Sequence, residues 1–234
     1  MSRYPASAST RIAAFRAVQG GRRRVGLLGG SFNPAHSGHR HISLLALKYL
    51  RLNEIWWLVS PQNPLKPRSG MAPFAERLAA ARRIVARDPR IKVSDLEARL
   101  GTRYTADTVA ALKRRYPRHN FVWLMGADNL SQIVHWQAWA KIFTELSIAV
   151  FDRPTYSFRA LAGKAARRYW RFRVRQTLAK RIAELGPPAW VFLHIPLNKV
   201  SATAIRARGT VNTTRLRKGD RNHSTTQSEV AHPD

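Results

Sequence analysis

The side chains best placed for chemistry are His36 and His39, three positions apart in the segment Gly29-Gly30-Ser31-Phe32-Asn33-Pro34-Ala35-His36-Ser37-Gly38-His39. A glycine pair lets the backbone come close to a ligand. The histidines stand where a helix should begin, and there free backbone N–H groups and the helix dipole favour phosphate. The segment is neither a GxxxxGK[ST] phosphate loop nor a GxGxxG dinucleotide fingerprint. Each histidine alone reads as an ordinary surface or capping side chain; the pair in this setting reads as a set of phosphate ligands. A zinc site from His36, His39 and His41 competes, but no carboxylate or cysteine lies nearby to complete it.

A second segment of similar character is Val200-Ser201-Ala202-Thr203-Ala204-Ile205-Arg206. Ser201 is a good N-cap, the N–H groups after it can bind phosphate, and Arg206 adds a fixed charge one turn on. The plain alternative is a capped helix with a solvated arginine.

The elements that must hold these segments follow from hydrophobic period. Short apolar runs at 24–28, 54–59, 91–94, 121–125, 147–151 and 190–195 predict strands. Between them, helical patterns fall at 38–52, 73–88, 105–116 and 136–146, with a long basic helical region at 158–185 and a last helix opened by Ser201. Strands apolar on both faces, alternating with helices, predict an α/β fold, a doubly wound parallel sheet in a single domain. Ligands then bind beyond the carboxyl ends of the strands, where the strand order switches.

The segment GGSFNPAHSGH resembles the GGxFxPxHxGH signature of the HxGH nucleotidylyltransferases, and VSATAIR is similar to their [IV]SxTxIR motif. Four further stretches resemble the nicotinate mononucleotide branch: Tyr104-Thr105-Ala106-Asp107-Thr108 (YTxxT), Gly126-Ala127-Asp128-Asn129-Leu130 (GxDxL), Trp136 in HWQAW, and Arg153-Pro154. The resemblance spans residues 24–206 and implies a Rossmann-like nucleotidyltransferase fold. It also implies transfer of the adenylyl group of ATP to nicotinate mononucleotide, by direct attack of the substrate phosphate on the α-phosphorus. His36, His39, Lys66 and Arg206 would be the catalytic set. ATP would lie on Gly29, Gly30, Ser31 and Phe32, with the two histidines and Ser201, Thr203 and Arg206 at its phosphates. The mononucleotide would meet Asn33, Lys66, Thr105, Asp128, Trp136 and Arg153. An aromatic plane suits a pyridine ring and a guanidinium suits a 5′-phosphate. Taken singly, Thr105 could be a helix cap, Trp136 a core residue and Arg153 a solvated turn residue. Magnesium is implied by the triphosphate, held mainly through phosphate oxygens and water, with no protein metal cage.

The 234 residues hold no cysteine, so disulfides and cysteine zinc sites are excluded, and no apolar run reaches the length of a membrane span. A cytoplasmic protein is expected. Lys and Arg number 41 against 13 acidic residues, a net charge of +28 that favours polyanions of any kind. Much of the excess lies at 2–24, 164–181 and 206–221. Residues 1–22 read as a basic flexible extension, 23–209 as the catalytic domain and 210–234 as a polar, disordered tail. The stretch 167–181 reads as an amphipathic surface helix, an oligomer contact or an RNA-attracting patch. Two alternatives stand beside the leading reading. One is an adenylyltransferase preferring the amide form of the mononucleotide. The other is a nucleic-acid-binding protein using Tyr169, Trp170 and Phe172 for base stacking, which leaves both phosphate motifs unexplained.

Overall fold

The computed structural model describes residues 21–62, 69–85, 88–153 and 155–196. The apolar runs become the strands β1 (Arg23–Gly30), β2 (Glu54–Val59), β3 (Ile91–Ser94), β4 (His119–Gly126), β5 (Ser147–Phe151), β6 (Arg173–Val174) and β7 (Trp190–Leu193). They form one sheet in the order β3-β2-β1-β4-β5-β7-β6, with every neighbouring pair parallel. Every residue of β2 and β5 is buried, as a sheet covered on both faces requires.

Alternation along β2 shows how the two layers are built. Trp57 faces a cluster with Ala46 of α1 (Ser37–Tyr49), its C-cap Leu50, and Val85 from α2 (Phe74–Val85). Its neighbour Trp56 faces the other way. It joins Val109 and Leu112 of α4 (Thr105–Arg115), with Ile142 and Phe143 of α6 (Trp139–Glu145), while α3 (Leu96–Arg99) and α5 (Ala127–Gln132) precede these two helices. The strand order reverses between β1 and β4, so their carboxyl ends, Gly30 and Gly126, flank the crevice where such folds bind ligands.

Two segments differ from the sequence expectation. The helix expected over 136–146 begins only at Trp139; a 3-10 turn, Ile133–His135, comes first, and Trp136 is extended (φ −80°, ψ 140°). Ala138 then turns through φ 51°. This break takes Trp136 out of helical register and leaves it on the crevice wall.

The basic region expected as one long helix is broken into α7 (Ser157–Leu161), α8 (Lys164–Arg168), a 3-10 turn (Trp170–Phe172), β6 and a 3-10 stretch (Gln176–Glu184). The reason is visible in Arg171-Phe172-Arg173-Val174, where charged and apolar residues alternate with the period of a strand, and Arg173 and Val174 pair with Trp190 and Val191 at the sheet edge. Tyr169 is buried with its ring stacked 4.2 Å from that of Phe143, whereas Trp170 is exposed. The helix expected from Ser201 lies outside the described residues. Among those described, no helix is long and apolar enough to cross a membrane.

Candidate active site

His36 is the N-cap of α1, and the two histidines close the helix start reciprocally. The Gly38 N–H donates to His36 Nδ1 at 3.1 Å, and the His36 N–H donates to His39 Nδ1 at 3.2 Å. A ring nitrogen that accepts carries no proton, so each neutral imidazole holds its hydrogen on Nε2. Burial, and then the Arg153 guanidinium, push His36 from 6.5 down to about 4. At neutral pH His36 is therefore an uncharged donor. Behind the pair, the Phe32 ring lies 4.9 Å from Trp57 and 4.7 Å from His39. Phe32 is buried and held at φ 47°, a region costly for a bulky side chain, so the loop carries strain at the point where it turns into the histidine segment.

Beside this loop lies a cavity of about 360 Å³, a size suited to a small ligand. Gly29, Gly30 and Ser31 form one wall; Thr105, Trp123 and Trp136 lie on others. The rings of Trp123 and Trp136 meet edge to face, 6.4 Å apart. Gly29 is demanded by this packing, because a Cβ there would stand 2.6 Å from the Trp123 ring. Thr105 is the first residue of α4 while Tyr104 is the N-cap, so Thr105 does not cap its helix. Glu97 also lines the cavity; burial pushes its carboxyl from 4.5 up to about 7, a rise that a hydrogen bond from the Ser60 hydroxyl partly opposes.

At the end of β4, Arg153 Nη1 donates to Asp128 Oδ2 at 2.5 Å. Asp128 Oδ1 is buried without a hydrogen-bond partner among the described residues, an acceptor suited to a ligand hydroxyl. A Cβ on Gly126 would come 2.5 Å from that same oxygen. Asn33 is held by the segment that precedes α2: its Nδ2 donates to Gly70 O at 2.8 Å and its Oδ1 accepts from the Ala72 N–H at 3.2 Å.

The fold thus brings Gly29, Gly30, Ser31, Thr105 and Trp136 to one cavity, sets His36 and His39 at the adjoining helix start, and joins Asp128 to Arg153. Phe32 supports the loop from within. Lys66, Ser201, Thr203 and Arg206 lie outside the described residues. His41 Nε2 meets Pro196 O at 3.1 Å, away from the other two histidines, and among the described residues no group of His, Cys, Asp or Glu converges on a metal position.

Two residues escaped the sequence reading. Arg77 is buried and donates to four carbonyls, those of Ser31 (2.6 Å), Ser60 (2.7 Å), Pro61 (2.8 Å) and Ala72 (3.0 Å), tying the loop after β1 to both ends of the connection between β2 and α2. Glu97 is the other. Both sit in charged helical patterns that look like solvated faces, and no spacing rule marks them.

The family model described as cytidylyltransferase-like matches residues 27–208. A protein of Bradyrhizobium sp. named probable nicotinate-nucleotide adenylyltransferase is 55% identical over 183 residues, covering 78% of this chain and 95% of the relative. One of the same name from Cereibacter sphaeroides is 56% identical over 185 residues, covering 79% and 97%. Among solved structures, the Plasmodium falciparum nicotinic acid mononucleotide adenylyltransferase complexed with NaAD shares the fold. Its TM-score is 0.60 at 18% identity, covering 79% of this chain and 83% of that one.

Proposed function

The chain belongs to the cytidylyltransferase-like family and, within it, to the nicotinate-nucleotide adenylyltransferases, and we infer that it transfers the adenylyl group of ATP to nicotinate mononucleotide. The products are nicotinate adenine dinucleotide and pyrophosphate, a step of NAD biosynthesis. The observation that carries this reading is the reciprocally capped His36–His39 pair beside a cavity walled by Trp136.

In the reaction a phosphate oxygen of the mononucleotide forms a bond to the α-phosphorus of ATP, and the bond from that phosphorus to the β-bridging oxygen breaks. The electron pair leaves with pyrophosphate. With a second pKa near 6 the attacking phosphate is already anionic at neutral pH, so no general base is needed. The protein's task is alignment and stabilisation of charge. His36 and His39 donate through Nε2 to the phosphate oxygens, where negative charge accumulates on the leaving group. Gly29, Gly30 and Ser31 let ATP approach the end of β1. Trp136 stacks on the pyridine ring, Thr105 contacts the mononucleotide, Arg153 takes its 5′-phosphate, and the unpaired Asp128 Oδ1 accepts a ribose hydroxyl. Lys66, Ser201, Thr203 and Arg206 are assigned phosphate contacts from their motifs.

Magnesium enters with the triphosphate, bound through its oxygens and water, and supplies charge neutralisation there. That reading fits a donor set in which no three acidic or histidine side chains converge among the described residues. A cytoplasmic location is part of the same proposal.

A pyrophosphate-release assay with ATP and magnesium, comparing nicotinate mononucleotide, its amide and phosphopantetheine, tests the reading. Turnover with the mononucleotides is expected, falling about 100-fold or more in His39→Ala, as when a preorganised donor is removed. A folded protein that turns over no mononucleotide overturns it.

A further inference from the structure

The cavity wall holds a buried carboxyl that the proposed reaction does not use. Glu97 is 8% exposed, stands in the wall that also holds Trp136 and Thr105, and has the Ser60 hydroxyl as its hydrogen-bond donor. Its backbone is fixed by a 3.1 Å bond from the Thr102 N–H to its carbonyl, and Ser60 is fixed by a 2.9 Å bond from its N–H to Gly30 O. The carboxyl is thus buried on the cavity wall, on a backbone hydrogen-bonded on both the Glu97 and the Ser60 side.

Nicotinate and nicotinamide mononucleotides share the phosphate, the ribose and the pyridinium ring. They differ by one negative charge, the ring carboxylate of the acid form. A buried charge on the pocket wall distinguishes two such ligands more sharply than any difference in shape, because little water intervenes to screen it. We propose that Glu97 is a specificity-determining residue that sets the preference of this pocket between the acid and the amide mononucleotide. It admits the acid when protonated and favours the amide when ionised. This inference rests on the mononucleotide reading above.

The shift of Glu97 toward neutrality puts its titration in the working range of the enzyme. Other titratable or charged groups on the cavity wall are Arg103, Tyr104 and His135. On its own helix Arg99 is paired with Asp95 at 2.8 Å. His135→Gln serves as the control for this neighbouring imidazole.

The test measures kcat/KM for both mononucleotides between about pH 6 and pH 9, in the wild type and in Glu97→Gln. Taking the ratio of acid to amide cancels the titration of the shared phosphate. In the wild type the ratio is expected to fall about tenfold across this range, as one added charge at close quarters dictates. In Glu97→Gln the ratio should stay across the whole range near the value that the wild type has at low pH. A wild-type ratio that is flat or rising overturns the inference, as does an equal slope in the variant. If the variant fails to fold, the wild-type slope and its loss in His135→Gln decide the matter, since a slope that vanishes there belongs to His135. Turnover of nicotinate mononucleotide without the ratio slope sinks the Glu97 assignment alone, whereas absence of turnover with either mononucleotide removes both readings.

Discussion

Replacing Arg77 by Met would keep the volume of the side chain and remove its donors. Arg77 is 2% exposed, and its guanidinium bonds the carbonyls of Ser31, Ser60, Pro61 and Ala72 at 2.6 to 3.0 Å. Each carbonyl left without a donor costs about 1–3 kcal/mol when buried. Those four losses overstate the effect. Burying the guanidinium carries a desolvation cost of several kcal/mol that the variant is spared, and burial accordingly pushes the arginine pKa down. Three of the four bonds are also only partly buried, so water can replace some of them. A net loss of about 3–5 kcal/mol follows.

For a domain of this size about 2–4 °C of Tm is lost per kcal/mol, so calorimetry of Arg77→Met should show Tm lowered by about 10 °C. Arg77→Lys keeps the charge but offers a point ammonium in place of a planar fork, and it should lie closer to Met than to the wild type. KM for ATP should rise in both variants, because Ser31 belongs to the loop that carries the histidines. A Met variant melting within about 2 °C of the wild type would refute the tie between these loops as a source of stability.

Three other substitutions probe the site. Gly126→Ala puts a Cβ 2.5 Å from Asp128 Oδ1, so it should displace Asp128 from Arg153 and raise KM for the mononucleotide more than KM for ATP in steady-state assays. Trp136→Ala removes the stacking plane at a half-buried position and should raise KM for the mononucleotide by about tenfold, with a Tm change of only a few degrees. His36 has a folded pKa of about 4 against 6.5 when exposed. Its neutral form is the one that folding favours, so about 3 kcal/mol of stability, fully present above pH 6.5, is lost as pH falls toward 4. Urea unfolding of His36→Gln should show that part of the pH dependence missing.

Most of the sheet was legible because strands buried on both faces are written as unbroken apolar runs, as in Glu54–Val59 and Ser147–Phe151. The failures came where two periods compete. Residues 171–174 alternate like a strand inside a stretch rich in helix formers, and the available edge of β7 decided the outcome. Trp136 was assigned to a helix because apolar residues follow it at helical spacing, whereas Ala138 at φ 51° restarts the chain before Trp139. Within the site, His36, His39, Asp128 and Arg153 were found through motifs. Arg77 and Glu97 carry no motif. Their roles come from burial, which a charged residue in an amphipathic pattern conceals until its neighbours are placed.

Burial also explains a contrast at the centre of this molecule. The chain carries a net charge of +28, yet the residues proposed to bind phosphate, His36 and His39, each accept a backbone hydrogen bond at Nδ1, as neutral imidazoles do. Arg153 is close enough to disfavour charge on His36 and is itself paired with Asp128 at 2.5 Å. A fixed cation at each histidine would add attraction for free ATP and for the reacting state alike, which tightens binding without lowering the barrier. Neutral donors locked by their Nδ1 atoms act differently. They gain most as charge builds on the departing pyrophosphate, and their orientation is already set by the cap of α1, so none of that gain is spent on ordering side chains.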